Sequence, residues 1–262
     1  MTSNDAPPTG RPQARTAPSP KPGRLFHTIA ALVLVAVMLT GFHHFYFHGR
    51  AYPGRELTPP IRTLVILHGT AMAAWMLVFL AQPLLILTGK RRIHERVGMA
   101  AACIAAAIVI LGLKLGVESA RFKPPGMLVS GLAPRPFMAI PVISVLLFGG
   151  FVAAGVICRR RLAVHRAMML LGTLAAISAA LARIDSLANL YADTVWERLW
   201  GPFFMTVVLA VLLLFLKWLL TRSIDRIYAI GCAGLAVALA AIVQLAPTSA
   251  WDSVATALLR WL

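Results

Sequence analysis

Three cysteines, Cys103, Cys158 and Cys232, are all that this chain of 262 residues has, and no two stand as CxxC or CxxCH. Each lies in or at the edge of an apolar run. That excludes a disulfide framework, a zinc ribbon and covalently attached c-type haem, and leaves small packing groups. HExxH, GxSxG and GxxxxGK[ST] are missing too, so no metalloprotease, serine-hydrolase or P-loop signature is present. Acidic residues number nine against 25 Lys and Arg. The basic excess falls between apolar runs rather than along one face, which argues against a nucleic-acid partner and makes the charge a signal of membrane topology.

What the chain has in quantity is apolar length. Residues 63–88, TLVILHGTAMAAWMLVFLAQPLLILT, contain no Asp, Glu, Lys or Arg, and a hydrocarbon core needs about 20 apolar residues at ~1.5 Å each. Spans are predicted at 25–47, 63–88, 99–119, 137–158, 167–190, 201–220 and 227–246. The expected fold is all-α, a polytopic transmembrane helix bundle of seven spans. Pro83 should kink the second span. Residues 1–23, with six prolines and no bulky apolar group after Met1, read as a disordered basic tail. Residues 247–262 read as an amphipathic helix at the outer interface, with Ser249 as its N-cap. Alternate connections carry 15 and 10 basic residues, and 3 and 6 acidic ones, with the more basic set on the N-terminal side. The positive-inside rule then puts the N-terminus in the cytoplasm, the C-terminus outside and the protein in the bacterial inner (plasma) membrane. Small residues at spacing four (Gly98, Ala102 and Ala106; Gly112 and Gly116; Gly172, Ala176 and Ala180) suit close packing within the bundle, with a homo-oligomer interface as the alternative. The inner loops RRIHERVGM and RRLAVHRAMM echo one another, as parallel repeats of a two-helix unit or two cytoplasmic interfaces would.

This topology groups the residues able to carry chemistry. His43, His44, His48 and His68 fall at the outer ends of the first two spans, and His27, His94 and His165 on the inner side. Neutral imidazole ligates haem iron or copper, and haem held without covalent attachment takes one histidine from each of two facing spans. His44 with His68 suits that arrangement; His43 points about 100° away from His44. Lys114, Glu118, Arg183 and Asp185 fall at the same outer depth, where uncompensated charge is costly, so a polar cavity is expected there. Lys114 and Glu118 could instead pair, one turn apart, and helical spacing lets only one of Arg183 and Asp185 face the cavity. His68, Met72, Trp75, Phe79 and Gln82 share one face of the second span. His94, between charges in RRIHER, reads as a wet loop residue.

Histidines near both ends of antiparallel spans, His68 with His44 outside and His165 with His94 or His27 inside, resemble the di-haem pattern of the cytochrome b561 class. The chain also looks like multi-pass bacterial membrane proteins of uncharacterised activity, most distinctively in HGTAMAAWMLVFLAQPLLILTGKRRIHERVG. From the convergence of His44, His68, Glu118, Arg183 and Asp185 at one depth, the expectation is haem b or a copper ion near the outer face and electron transfer to or from a quinone or a periplasmic redox partner. His44 and His68 would be ligands, His165 an inner ligand, Trp75 would pack beside the ring, and Arg183 would meet a propionate or other anion. The rival expectations are a small-solute or proton-coupled transporter using Glu118, Asp185 and His68, and an assembly or scaffold protein with no cofactor.

Overall fold

The computed structural model describes residues 22–57, 59–124 and 126–261, with nothing described of the Arg24 side chain. The expected tail therefore lies outside the described residues, apart from Pro22 and Gly23, which open the first helix with proline where a missing N–H costs nothing. In chain order the elements are α1 (Pro22–Gly41), α2 (His43–His48), the two-residue strands β1 (Arg50–Ala51) and β2 (Arg55–Glu56), α3 (Arg62–Leu87), α4 (Arg91–Arg121), α5 (Pro134–Phe137), α6 (Ala139–Ile157) and α7 (Leu162–Leu181). They continue with α8 (Asp185–Ala188), α9 (Val195–Trp200), a 3-10 turn (Gly201–Phe203), α10 (Phe204–Thr221), α11 (Arg226–Leu245) and α12 (Ser249–Trp261). Six helical segments among the described residues are long and apolar enough to cross a bilayer: 62–87, 91–121, 134–157, 162–181, 195–221 and 226–245. The fold is an all-α bundle of a multi-pass membrane protein.

The bundle is organised around two antiparallel hairpins, α3–α4 and α6–α7, with α4 packed on α6. The ends that hold the α3–α4, α6–α7 and α10–α11 turns form the near end, where α1 begins; the opposite side is the far end. Helix α7 is central and meets α1, α6, α10 and α11. Leu170, Leu171, Leu174 and Ile177 are buried along it. Glycine allows the closest contacts. A Cβ on Gly112 would lie 2.8 Å from Val145 of α6, and one on Gly172 would lie 3.3 Å from the Phe148 carbonyl. At these glycines the small-residue spacing serves packing inside the chain.

Several boundaries differ from the sequence expectation. The first helix stops at Gly41, not at residue 47, and its apolar stretch Leu25–Gly41 is shorter than the six others. Gly41 lies so close to the α7 backbone that a Cβ there would sit 2.2 Å from the Ala180 carbonyl oxygen. The chain turns off that contact, and HHFYFH forms the separate helix α2, closed by Gly49 in the left-handed region at φ 62°. Helix α4 starts at Arg91 and takes RRIHER into its first turns, so the loop is far shorter than expected. Helix α7 ends at Leu181 instead of continuing to residue 190. Helix α3 runs through Pro83 to Leu87. The cap of α12 is Thr248, whose hydroxyl accepts the Trp251 N–H at 3.3 Å, in place of Ser249.

Candidate functional site

At the near end each hairpin carries a histidine one turn into its second helix. His94 N–H donates to the Lys90 carbonyl and His165 N–H to the Arg161 carbonyl, so the two rings stand in the same register, four residues past equivalent cap positions. Each ring also reaches back to the preceding helix. His165 Nδ1 lies 2.8 Å from the Gly155 carbonyl, near a helix C-terminus where carbonyls lose their intrahelical donors. His94 stands near Gln82 of α3, and its Nδ1 is buried with no partner among the described residues, as are both side-chain polar atoms of Gln82. His165 acts electrostatically on both His94 and His27, which places rings from α1, α4 and α7 in one neighbourhood. His94 is thus a half-buried helix residue, because helix α4 begins before it and turns it against α3.

Beside His27 lies a partly exposed ion pair. Lys217 Nζ is 2.5 Å from Asp225 Oδ2 and 5.2 Å and 5.5 Å from the ring centres of Phe26 and Tyr228. Burial works to raise the Asp225 carboxyl, but the Lys217 hydrogen bond and the Tyr228 and Ile227 N–H groups outweigh it and hold the group below the usual carboxylate range. Asp225 is also the N-cap of α11, accepting the Tyr228 N–H at 3.0 Å.

At the far end the predicted residues divide among separate neighbourhoods. His44 stands against His43, with ring centres 4.0 Å apart, and near His48 and Tyr52. Partial desolvation, His43, His48 and Arg50 push its imidazole below the ordinary value, against an opposing pull from Asp185. His43 Nδ1 lies 2.8 Å from the Thr40 carbonyl. His68 belongs elsewhere: its Cε1 would lie 3.0 Å from a Cβ on Gly112, so it faces α4, and its Nδ1 is buried without a partner among the described residues. What faces α2 at this level of α3 is Gly69, whose carbonyl accepts the Tyr46 hydroxyl at 3.2 Å and whose Cα packs on Phe45. The one-residue offset, set by the break at Gly41, turns His68 from α2 into the bundle. Among the described residues no three His, Cys, Asp or Glu side chains are grouped to hold a metal ion.

The remaining predicted residues are placed as follows. Trp75 is buried and donates to the Thr173 hydroxyl at 3.3 Å, edge-on to Phe148 at 5.0 Å, so it is a core residue. Glu118 pairs with Arg121 at 2.9 Å, and Lys114 is exposed; the two do not pair with each other. Arg183 and Asp185 both face the α2–β1 region, because the helix ends at Leu181 and helical angular spacing no longer applies. Asp185 accepts the Tyr52 hydroxyl, while Arg183 lies over the Phe42 ring at 4.7 Å and donates to the Ala179 carbonyl at 2.5 Å. Sequence reasoning missed Tyr52 as a functional contact, as well as Lys123, which sits over Phe137 at 4.2 Å. Their only signal was an aromatic or cationic residue in a proline-rich connection.

Compared with protein-family models, curated proteins and solved structures, the chain matches none.

Proposed function

We propose that the protein crosses the bacterial plasma membrane seven times, α1 supplying the first crossing, with the N-terminus in the cytoplasm and the C-terminus outside. The excess of Lys and Arg at the near-end connections supports this orientation. Within it, the protein serves membrane electron transfer with a quinone or a periplasmic redox partner, and its histidines hold haem b or a copper ion.

The observation that carries this reading lies at the near end rather than at His44 and His68. His165 has Nδ1 engaged by the Gly155 carbonyl of the preceding helix at 2.8 Å, which leaves its other nitrogen to act as an acceptor, and His94 Nδ1 is buried without a partner among the described residues. A backbone carbonyl on one imidazole nitrogen fixes the tautomer and raises the basicity of the other, the second-sphere arrangement of metal-ligating histidine. Two rings suit haem iron or copper better than a zinc site, which takes three or four protein ligands. Bound there, the group would supply one-electron chemistry. The chain's own residues orient the ring of His165: the Gly155 carbonyl sets its tautomer, and helix α7 holds it at the near end. At the far end His44 and His68 face different partners and do not fit a shared ligand.

An absorption spectrum and metal analysis of the detergent-purified protein test the reading. A haem band or stoichiometric copper that His165→Ala removes and His68→Ala leaves is the expected result; no chromophore and no metal in either redox state overturns it. A second reading, small-solute or proton-coupled transport, draws on the Tyr52–Asp185 hydrogen bond at the far end. It requires solute uptake in proteoliposomes that Asp185→Asn abolishes.

A further inference from the structure

The connection between α1 and α3, the start of the α4–α6 connection and the end of α7 bring three cations together at the far end: Arg55, Lys123 and Arg183. Arg55 Nε donates to the Tyr52 carbonyl at 3.2 Å, and the Tyr52 hydroxyl donates to Asp185, two residues beyond Arg183. Two of the cations are held over aromatic rings, Arg183 over Phe42 and Lys123 over Phe137. Ring stacking fixes the direction of a cation without neutralising it. Among the described residues none of the three makes an ion pair, whereas Arg91, Arg121, Arg135 and Lys217 all do.

The electrostatics agree with that geometry. Burial, Arg55 and Arg183 together push the Lys123 amine down to about 8. Burial lowers the Arg183 guanidinium to about 10, partly offset by Tyr52. Like charges crowded into a half-buried place and spared a carboxylate partner are destabilising unless something anionic joins them. Asp185 is the one nearby acid tied into the cluster, and Glu56 lies across the β1–β2 register from Arg50.

The geometry points to a binding site for a phosphate group at the far end, held by Arg183 and Lys123 with the exposed Arg55 at its rim. Three cations against one carboxylate leave two positive charges, which match a dianion, and guanidinium donors match the spacing of phosphate oxygens. The phosphate comes either from a soluble monoester or from a lipid headgroup, since the site lies where the helices end. This site is independent of the histidine reading: it shares no residue with the near end, and it is read without a chromophore.

The test uses the full chain in phosphatidylcholine nanodiscs, with inorganic phosphate followed by calorimetry and, in a parallel arm, discs containing phosphatidic acid analysed by native mass spectrometry. Saturable binding in either arm is expected, the first marking a soluble source and the second a lipid one. Arg183→Gln and Lys123→Met should each weaken it by roughly tenfold or more, and Lys114→Met, an exposed lysine outside the cluster, should not. Arg55→Gln, at an exposed position, serves if a half-buried variant fails to fold, and should weaken binding more mildly. Absence of binding in both arms, or binding unaffected by the folded variants, overturns the proposal.

Discussion

Lys217 at the near end and Arg183 at the far end are built alike up to a point. Each is a partly buried cation at the end of a helix, resting on an aromatic ring. Lys217 has a carboxylate at 2.5 Å that also caps the next helix, so its charge is spent on structure. Among the described residues Arg183 meets a backbone carbonyl and a ring face, which leaves most of its five donors available. A cation closed by an acid holds elements together, and one left open can hold something else.

The sharpest way to break this comparison is Lys217→Met. Removing one member of a partly exposed pair should cost about 2–3 kcal/mol, read as a fall in Tm in detergent, and Asp225→Asn should cost less because the amide still accepts at the helix cap. The Asp225 carboxyl is held below its unfolded value, so its contribution is fully present above about pH 5 and is lost as pH falls through the folded value, below roughly 4. A thermal melt that does not weaken between pH 5 and 3 faster in the native chain than in Asp225→Asn would count against the pair. Next comes Gly41→Ala, whose Cβ meets the Ala180 carbonyl; prying α1 from α7 should cost about 1–3 kcal/mol in chemical denaturation. Trp75→Phe, which removes the indole N–H that the Thr173 hydroxyl accepts but keeps a ring on Phe148, should cost about 1 kcal/mol. The smallest effect has the opposite sign: Lys123→Met, which relieves an unpartnered cation, should leave Tm unchanged or slightly raised at pH 7. A clear loss of stability there would mean that Lys123 has a structural partner like that of Lys217.

The spans were legible because uninterrupted apolar runs announce themselves, and the predicted 63–88, 137–158 and 227–246 lie within two residues of Arg62–Leu87, Ala139–Ile157 and Arg226–Leu245. The end of α1, the start of α4 and both ends of α7 were not. Gly41 ends α1 through a contact with Ala180, 139 positions later, which no local pattern carries. The expected outer grouping of His44 with His68 assumed a straight first span to residue 47. Once the chain turns at Gly41, Gly69 rather than His68 meets α2. His94 was read as wet because charges flank it, yet a helix that begins at Arg91 points those charges outward and the imidazole toward Gln82. Tyr52 and Asp185, 133 residues apart, are joined by a hydrogen bond that only the fold supplies.

The ring that reaches back from α7 to the preceding helix has a bearing on how the chain enters the lipid. A helix end that stops inside or just under the headgroups leaves carbonyls with no water to turn to, and His165 answers one of them from the very next helix. The α6–α7 pair is therefore stitched at its own turn, and that carbonyl needs no later-arriving neighbour. The closure spans only ten residues of chain, so that turn is complete before α10 and α11 follow.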